Sequence, residues 1–254
     1  MYEEHPSFTS IAESDKIWRY MDFTKFISLL ENEKMFFPRA DLFNDKFEGT
    51  YPKSHQRAKV TEASSLNQEE YEELLKLMVN SSIHFRKTMY INCWHINEFE
   101  SEAMWKIYSS TNNSVVIQST FENLKQAFCN ESHSIYIGKV NYIDYNTELI
   151  DMSNGFTPYL YKRKSFEYER ELRAVISQFP SMQEGDSLFD LDIKKFSDGI
   201  NVPIDLFTLI EKIYISPIAD EWFKELVIQI VKRYNLRKEV IQSELAQWPL
   251  TFLE

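Results

Sequence analysis

Lys162 to Ile176, KRKSFEYERELRAVI, holds the densest set of residues able to do chemistry: Glu167, Glu169 and Glu171 at every second position, then Arg173. Side chains two apart share a face of a β-strand. The spacing therefore predicts a strand from Tyr168 to Ser177, with the acids and Arg173 on one face. Tyr168, Arg170, Leu172, Ala174 and Ile176 fall on the other. Like charges on one face repel and raise one another's pKa unless a cation or a ligand compensates. Two outcomes follow. Arg173 and a lysine neutralise the acids and the edge is structural, or the acids hold a ribose hydroxyl or steady a cation-like transition state. Glycosyl transfer needs such a group, because positive charge develops at the anomeric carbon.

Other chemistries lack their residues. His5, His55, His84, His95 and His133 are scattered, and none belongs to an HExxH or Cys/His metal pattern, so no metal site is expected. The chain has 5 glycines and neither a P-loop nor a GxGxxG pattern. It also lacks a GxSxG elbow. Cys93 and His95 lie two apart on an expected strand and so share a face, but INCW reads as core. Cys93 and Cys129 fit no metal spacing and read as buried free thiols.

The net charge is −11, which argues against nucleic-acid binding through bulk charge. Lys162, Arg163 and Lys164 form a short basic cluster that reads as a solvated loop before a strand. No apolar run approaches the length of a membrane span, and MYEEHPSFTS is not a signal peptide. A soluble, cytoplasmic chain in a reducing compartment is expected, with no membrane contact; a small-molecule or nucleotide ligand fits, and the sequence leaves the protein partner unknown.

These residues must be positioned by an α+β fold. Short strands are expected at Lys16–Tyr20, around Met35–Phe37, at Met89–Trp94, Ser114–Gln118, Ile135–Tyr142, Lys212–Ser216 and over EVIQSEL near the C-terminus. Helices are expected after Thr24, across 54–89, over Ser101–Tyr108, after Ser119-Thr120, and after Asp220. Asp144–Tyr161 reads as less regular, and Ser181–Asp198 as an acidic exposed excursion. Strands and helices lack a βαβ rhythm. A single domain over 16–254, with a central mixed, largely antiparallel sheet flanked by helices, follows. Residues 1–15 read as a flexible N-terminal arm.

Three ordered motifs carry a resemblance. They are KIWRYMDFTKFISLLENEKMFFPRADLFNDKFEG, CWHINEFESEAMWKIYS and KRKSFEYERELRAV. Over about residues 16–245 the chain resembles the bacterial domain-of-unknown-function family 2971. A further resemblance is to ADP-ribosyltransferases, whose fold often opens on a strand bearing an Arg or His that meets NAD and ends on a strand carrying Glu-x-Glu. Arg19 matches the first position, and Glu169-Arg170-Glu171 the last, with Glu167-Tyr168-Glu169 as an alternative register. The Ser-Thr-Ser pattern of the middle strand is absent. This resemblance implies an NAD-using enzyme, a toxin or defence effector, with Glu171 and Glu169 catalytic.

The expected ligand contacts are Arg19, Tyr20, Arg39, Asn44, Asp45, Lys162 and Arg173. Each has a bland alternative: FNDKFEG also reads as a capped, charged turn, and Arg39 could pair with Asp41 or Asp45. Trp105 and Tyr108 read as core rather than as a base-stacking platform. The rival reading is a non-catalytic binding or regulatory module, in which the Glu strand is a salt-bridged structural feature and the aromatic helices form a partner surface. The enzyme reading expects Arg19, Asp45 and one of Glu169 or Glu171 to line one cleft.

Overall fold

A computed structural model describes residues 1–57, 66–108, 112–128, 133–178 and 196–245. Its strands are β1 (Tyr2–Glu3), β2 (Lys16–Asp22), β3 (Lys34–Pro38), β4 (Met89–Ile96), β5 (Ser114–Thr120), β6 (Ile135–Lys139), β7 (Asn141–Ile143), β8 (Tyr161–Arg163), β9 (Glu171–Ser177), β10 (Gly199–Pro203), β11 (Lys212–Ile215) and β12 (Glu239–Gln242). The α-helices are α1 (Phe23–Asn32), α2 (Gln68–Phe85), α3 (Glu102–Tyr108), α4 (Phe121–Ala127), α5 (Leu206–Leu209) and α6 (Glu221–Arg233).

The architecture is α+β: an eight-stranded sheet in the order β1-β6-β9-β4-β2-β5-β11-β12, flanked by helices. Its inner pairings are antiparallel and the two outermost, β1 with β6 and β11 with β12, are parallel. Two short ribbons, β3 with β10 and β7 with β8, sit beside it.

The strands form on short runs rich in apolar and aromatic residues, and the central ones, β4, β5 and β9, are buried on both faces. Ile17 and Met21 of β2, Trp94 of β4, Leu172 and Ala174 of β9 and Val115 and Ile117 of β5 enter the main core. The apolar stripes of α1, α4 and α6 cover that face. Asp22 caps α1 by accepting from the Lys25 amide at 2.8 Å, so the helix expected after Thr24 begins at Phe23. Thr120 caps α4 in the same way.

The opposite face carries two smaller apolar clusters. Phe8, Met89, Ile91, Tyr159 and Val175 form one, and Trp18, Tyr20, Met104, Trp105 and Val116 form the other. Cys93, His95, Glu171 and Arg173 belong to that face by register, because Cys93 pairs with Arg173 and His95 with Glu171.

Some expectations are corrected. Residues 1–15, read as a flexible arm, are tied to the sheet: Tyr2 and Glu3 pair with β6, and Phe8 is buried. Aromatic rings supply the reason, since His5 and Phe8 pack against Tyr136 and Phe156. The helix expected across 54–89 is α2 alone among the described residues, preceded by a short 3-10 segment at Lys53–Arg57. The strand expected from Tyr168 starts at Glu171. Lys164–Glu169 is a 3-10 helix, and Arg170, at φ 43°, turns the chain into β9. The excursion expected at 181–198 lies outside the described residues except for its last three positions, as does Cys129.

Candidate active site

The 3-10 helix changes what the three glutamates do. Glu167 is exposed, while Glu169, at its last position, and Glu171, at the start of β9, turn inward. Both reach the ammonium of Lys162 on β8: Glu171 Oε1 lies 2.7 Å from Nζ, and Glu169 is in direct contact. Arg173 Nε donates to Glu171 Oε2 at 2.5 Å, and its Nη1 and Nη2 take Glu48 in a bidentate pair at 2.6 and 2.8 Å. Arg173 also donates to the Tyr159 carbonyl. Asp45, three residues before Glu48, accepts from Arg163 at 2.9 Å. Each charge in this network of Glu48, Lys162, Glu169, Glu171 and Arg173 meets an opposite one, as burial demands.

Gly49 lets the Asn44–Gly49 loop reach Arg173. Its φ is +66°, and a Cβ there would stand 2.4 Å from the Tyr159 ring. The Tyr142 hydroxyl accepts from the Glu171 amide at 2.8 Å, closing the end of β9.

The electrostatics split the two acids. Burial works against the charge on Glu171, but Arg173 and Lys162 outweigh it and hold its carboxyl below the usual range. Burial and the neighbouring Glu171 carboxylate push Glu169 up to about 8, against the pull of Lys162. One ionised and one protonatable carboxylate side by side is the arrangement that divides roles in acid–base chemistry.

Arg19 lies apart from this network. By register it alternates with Trp18 and Tyr20 and so falls on the main-core side, with its guanidinium 6.0 Å from the Trp94 ring. The expected shared cleft therefore does not form by direct contact. A break in the sheet brings Arg19 near. β2 pairs with β4 only at Ile17–Ile96 and Trp18–His95, and beyond them the two strands part. Into this split Arg19 Nη1 donates to the Cys93 carbonyl at 2.6 Å. Arg19 is half-buried, burial lowers its pKa, and its charged-group neighbours are Cys93 and Tyr108 rather than a carboxylate. Tyr108, on α3, in turn feels Glu169 and Glu171; burial, then those carboxylates, push its phenol up.

The remaining predicted residues scatter. The Tyr20 hydroxyl accepts from the Ser101 amide, and its ring meets Trp105 and His95 edge-on. Arg39 is held by Asp41 and by the Phe196 and Ser197 carbonyls, away from the glutamates. Asn44 is exposed. The Cys93 thiol is pushed up by burial and then by Glu171, so it stays protonated and does not serve as a nucleophile. A groove of about 590 Å³ along Ile228, Lys232 and Leu236, on α6 and the turn after it, contains none of the predicted site residues.

Residue types and spacing gave no signal for Tyr142 or for the Glu48–Arg173 pair, which is 125 residues apart. Among the described residues, no cluster of His, Cys, Asp and Glu could hold a metal, and no helix is long and apolar enough to cross a membrane.

No family model matches the chain, so membership in family 2971 is not shown. No curated protein matches it either. Among solved structures it is similar to DarT of Thermus sp. 2.9 in complex with carba-NAD+, at TM-score 0.41 and 8% identity, covering 94% of this chain and 100% of that one. The complex of the same DarT with NAD+ gives TM-score 0.41 and 9% identity over the same shares. A likeness at that score carries no argument about this chain.

Proposed function

We propose that the chain is an ADP-ribosyltransferase-like enzyme that uses NAD as donor and takes it into the split between β2 and β4. The carrying observation is Arg19. Arg39, Arg163 and Arg173 each hold a carboxylate, whereas Arg19 makes one bond to a backbone carbonyl. A half-buried guanidinium has five N–H donors in a fork that fits phosphate. Its charge, desolvated and without a counter-ion among the described residues, favours an anionic ligand such as the pyrophosphate of NAD.

In this reading Glu171 is the ionised carboxylate that binds the nicotinamide ribose and steadies the oxocarbenium-like charge. Glu169, which burial keeps protonatable, donates to or accepts from a ribose hydroxyl. The bond from the anomeric carbon to the nicotinamide nitrogen breaks, and its electron pair neutralises the departing pyridinium. The acceptor's oxygen or nitrogen forms the new bond and gives up a proton. That acceptor is water, a protein or a nucleic acid, as in a toxin or defence effector. Isothermal titration with NAD and a nicotinamide-release assay test this. Absence of binding at millimolar NAD removes the reading.

One observation favours a second reading. Both oxygens of Glu171 are occupied, one by Lys162 and one by Arg173. A non-catalytic binding module would need that network only for shape. In that case Glu171→Gln lowers stability and no nicotinamide release is detectable from wild-type protein.

A further inference from the structure

His95 is a buried titratable group opposite Glu171 that the mechanism above leaves unused. It is directly opposite Glu171 across the β4–β9 ladder, on the same face. Directly opposed side chains in such a ladder have Cβ atoms about 5 Å apart. Its Nδ1 lies 2.7 Å from the Glu169 backbone carbonyl. A carbonyl oxygen only accepts, so Nδ1 carries the proton and Nε2 presents a lone pair. That Nε2 is buried and has no hydrogen-bond partner, in a residue only 2% exposed. Native proteins rarely leave a buried acceptor unmet, since the loss costs about 1–3 kcal/mol. The strain of an unmet acceptor is tolerated where a ligand or reacting group meets it.

We infer that His95 is the general base of this site, its Nε2 taking the proton of the incoming acceptor as that acceptor bonds to the anomeric carbon. The inference rests on the NAD-using reading above. The fixed tautomer sets the direction of transfer: Nδ1–H stays on the Glu169 carbonyl, and Nε2 receives the proton. The imidazolium that results keeps its Nδ1–H on the Glu169 carbonyl, and Glu171 lies opposite it in the ladder. The proton then passes to solvent, and the nicotinamide leaves uncharged. The charged or titratable groups around the ring are Glu171 on β9, Arg170 and Glu169 at the turn before it, and Tyr20 on β2. Burial, and more weakly Arg170, keep the imidazole neutral at physiological pH; the bond to Glu169 opposes them.

The test uses the full chain with NAD and water as acceptor, and reads nicotinamide release from pH 5 to 8 together with NAD affinity. His95→Asn keeps an N–H for the Glu169 carbonyl and removes the base. Release should fall about a hundredfold, the usual range for losing a general base, with NAD affinity unchanged. The wild-type rate should fall on the acid side as His95 is protonated, and this limb should vanish in His95→Asn. If His95→Asn binds NAD and releases nicotinamide at the wild-type rate, the inference is overturned and the NAD reading stands. If wild-type protein binds no NAD, both fall. Where His95→Asn does not fold, a wild-type rate that is flat through the acid range overturns the inference by itself.

Discussion

Two arginines on strands of one sheet have opposite surroundings. Arg173 is fully buried and saturated: Glu171 and Glu48 take its donors, and the Tyr159 carbonyl takes another. Arg19 lies in a split, half-buried, with one backbone partner. The same side chain is structural in the first place and available in the second. Sequence type does not distinguish them; the number of carboxylates that the fold brings within reach does. A buried cation is tolerated when paired, and one left unpaired marks a site for an anion.

Breaking the closed side should produce the largest effect. Arg173→Met leaves Glu48 buried without its cation and Glu171 with Lys162 alone, and the loss should be about 3–5 kcal/mol in urea unfolding. A variant within about 1 kcal/mol of wild type would mean that the network is solvated. Glu171→Gln should cost less, about 2 kcal/mol, because the amide retains part of the hydrogen bonding to Lys162 and Arg173. On the NAD reading it should also abolish nicotinamide release while the chain remains folded at room temperature, as circular dichroism would show.

The paired acids should also shape stability against pH. Glu169 has its pKa raised on folding, so its contribution is complete below the ordinary glutamate value and is lost as pH rises through about 8. Glu171 has its pKa lowered, so its contribution is present above the ordinary value and is lost as pH falls into the acid range. Thermal unfolding of wild-type protein should therefore show a declining limb from pH 5 to 8 that Glu169→Gln flattens. An unchanged limb in Glu169→Gln would assign it elsewhere. The smallest stability change belongs to the open side. Arg19→Ala removes a single hydrogen bond and should shift unfolding by about 1 kcal/mol or less.

The fold was legible in Lys16–Asp22, Ser114–Thr120 and Lys212–Ile215, because short runs of β-branched, aromatic and other apolar residues mark strands whether they are buried on both faces, as in Ser114–Thr120, or on one, as in Lys212–Ile215. The candidate site was only half legible. Glu169-Arg170-Glu171 reads as strand, but Arg170 takes a left-handed conformation that an arginine seldom adopts, and no residue type announces it. That turn is what lets both acids converge on Lys162. The pairing of Arg173 with Glu48 is a long-range contact between a strand and a loop, which local spacing cannot encode. The separation of β2 from β4 is likewise absent from both strands' sequences, so Arg19 could be named as a ligand residue but not placed. Phe8 and His5 were read as part of a flexible arm, because isolated aromatic rings among polar residues carry no period.

Isothermal titration of NAD into wild-type and Arg19→Ala protein tests the difference between the two arginines most directly. Saturable binding by wild-type protein, weakened at least tenfold by Arg19→Ala while its unfolding midpoint stays near wild type, is the predicted result. Absence of wild-type binding, or equal affinity in the two proteins, would contradict the assignment of the split as the NAD site.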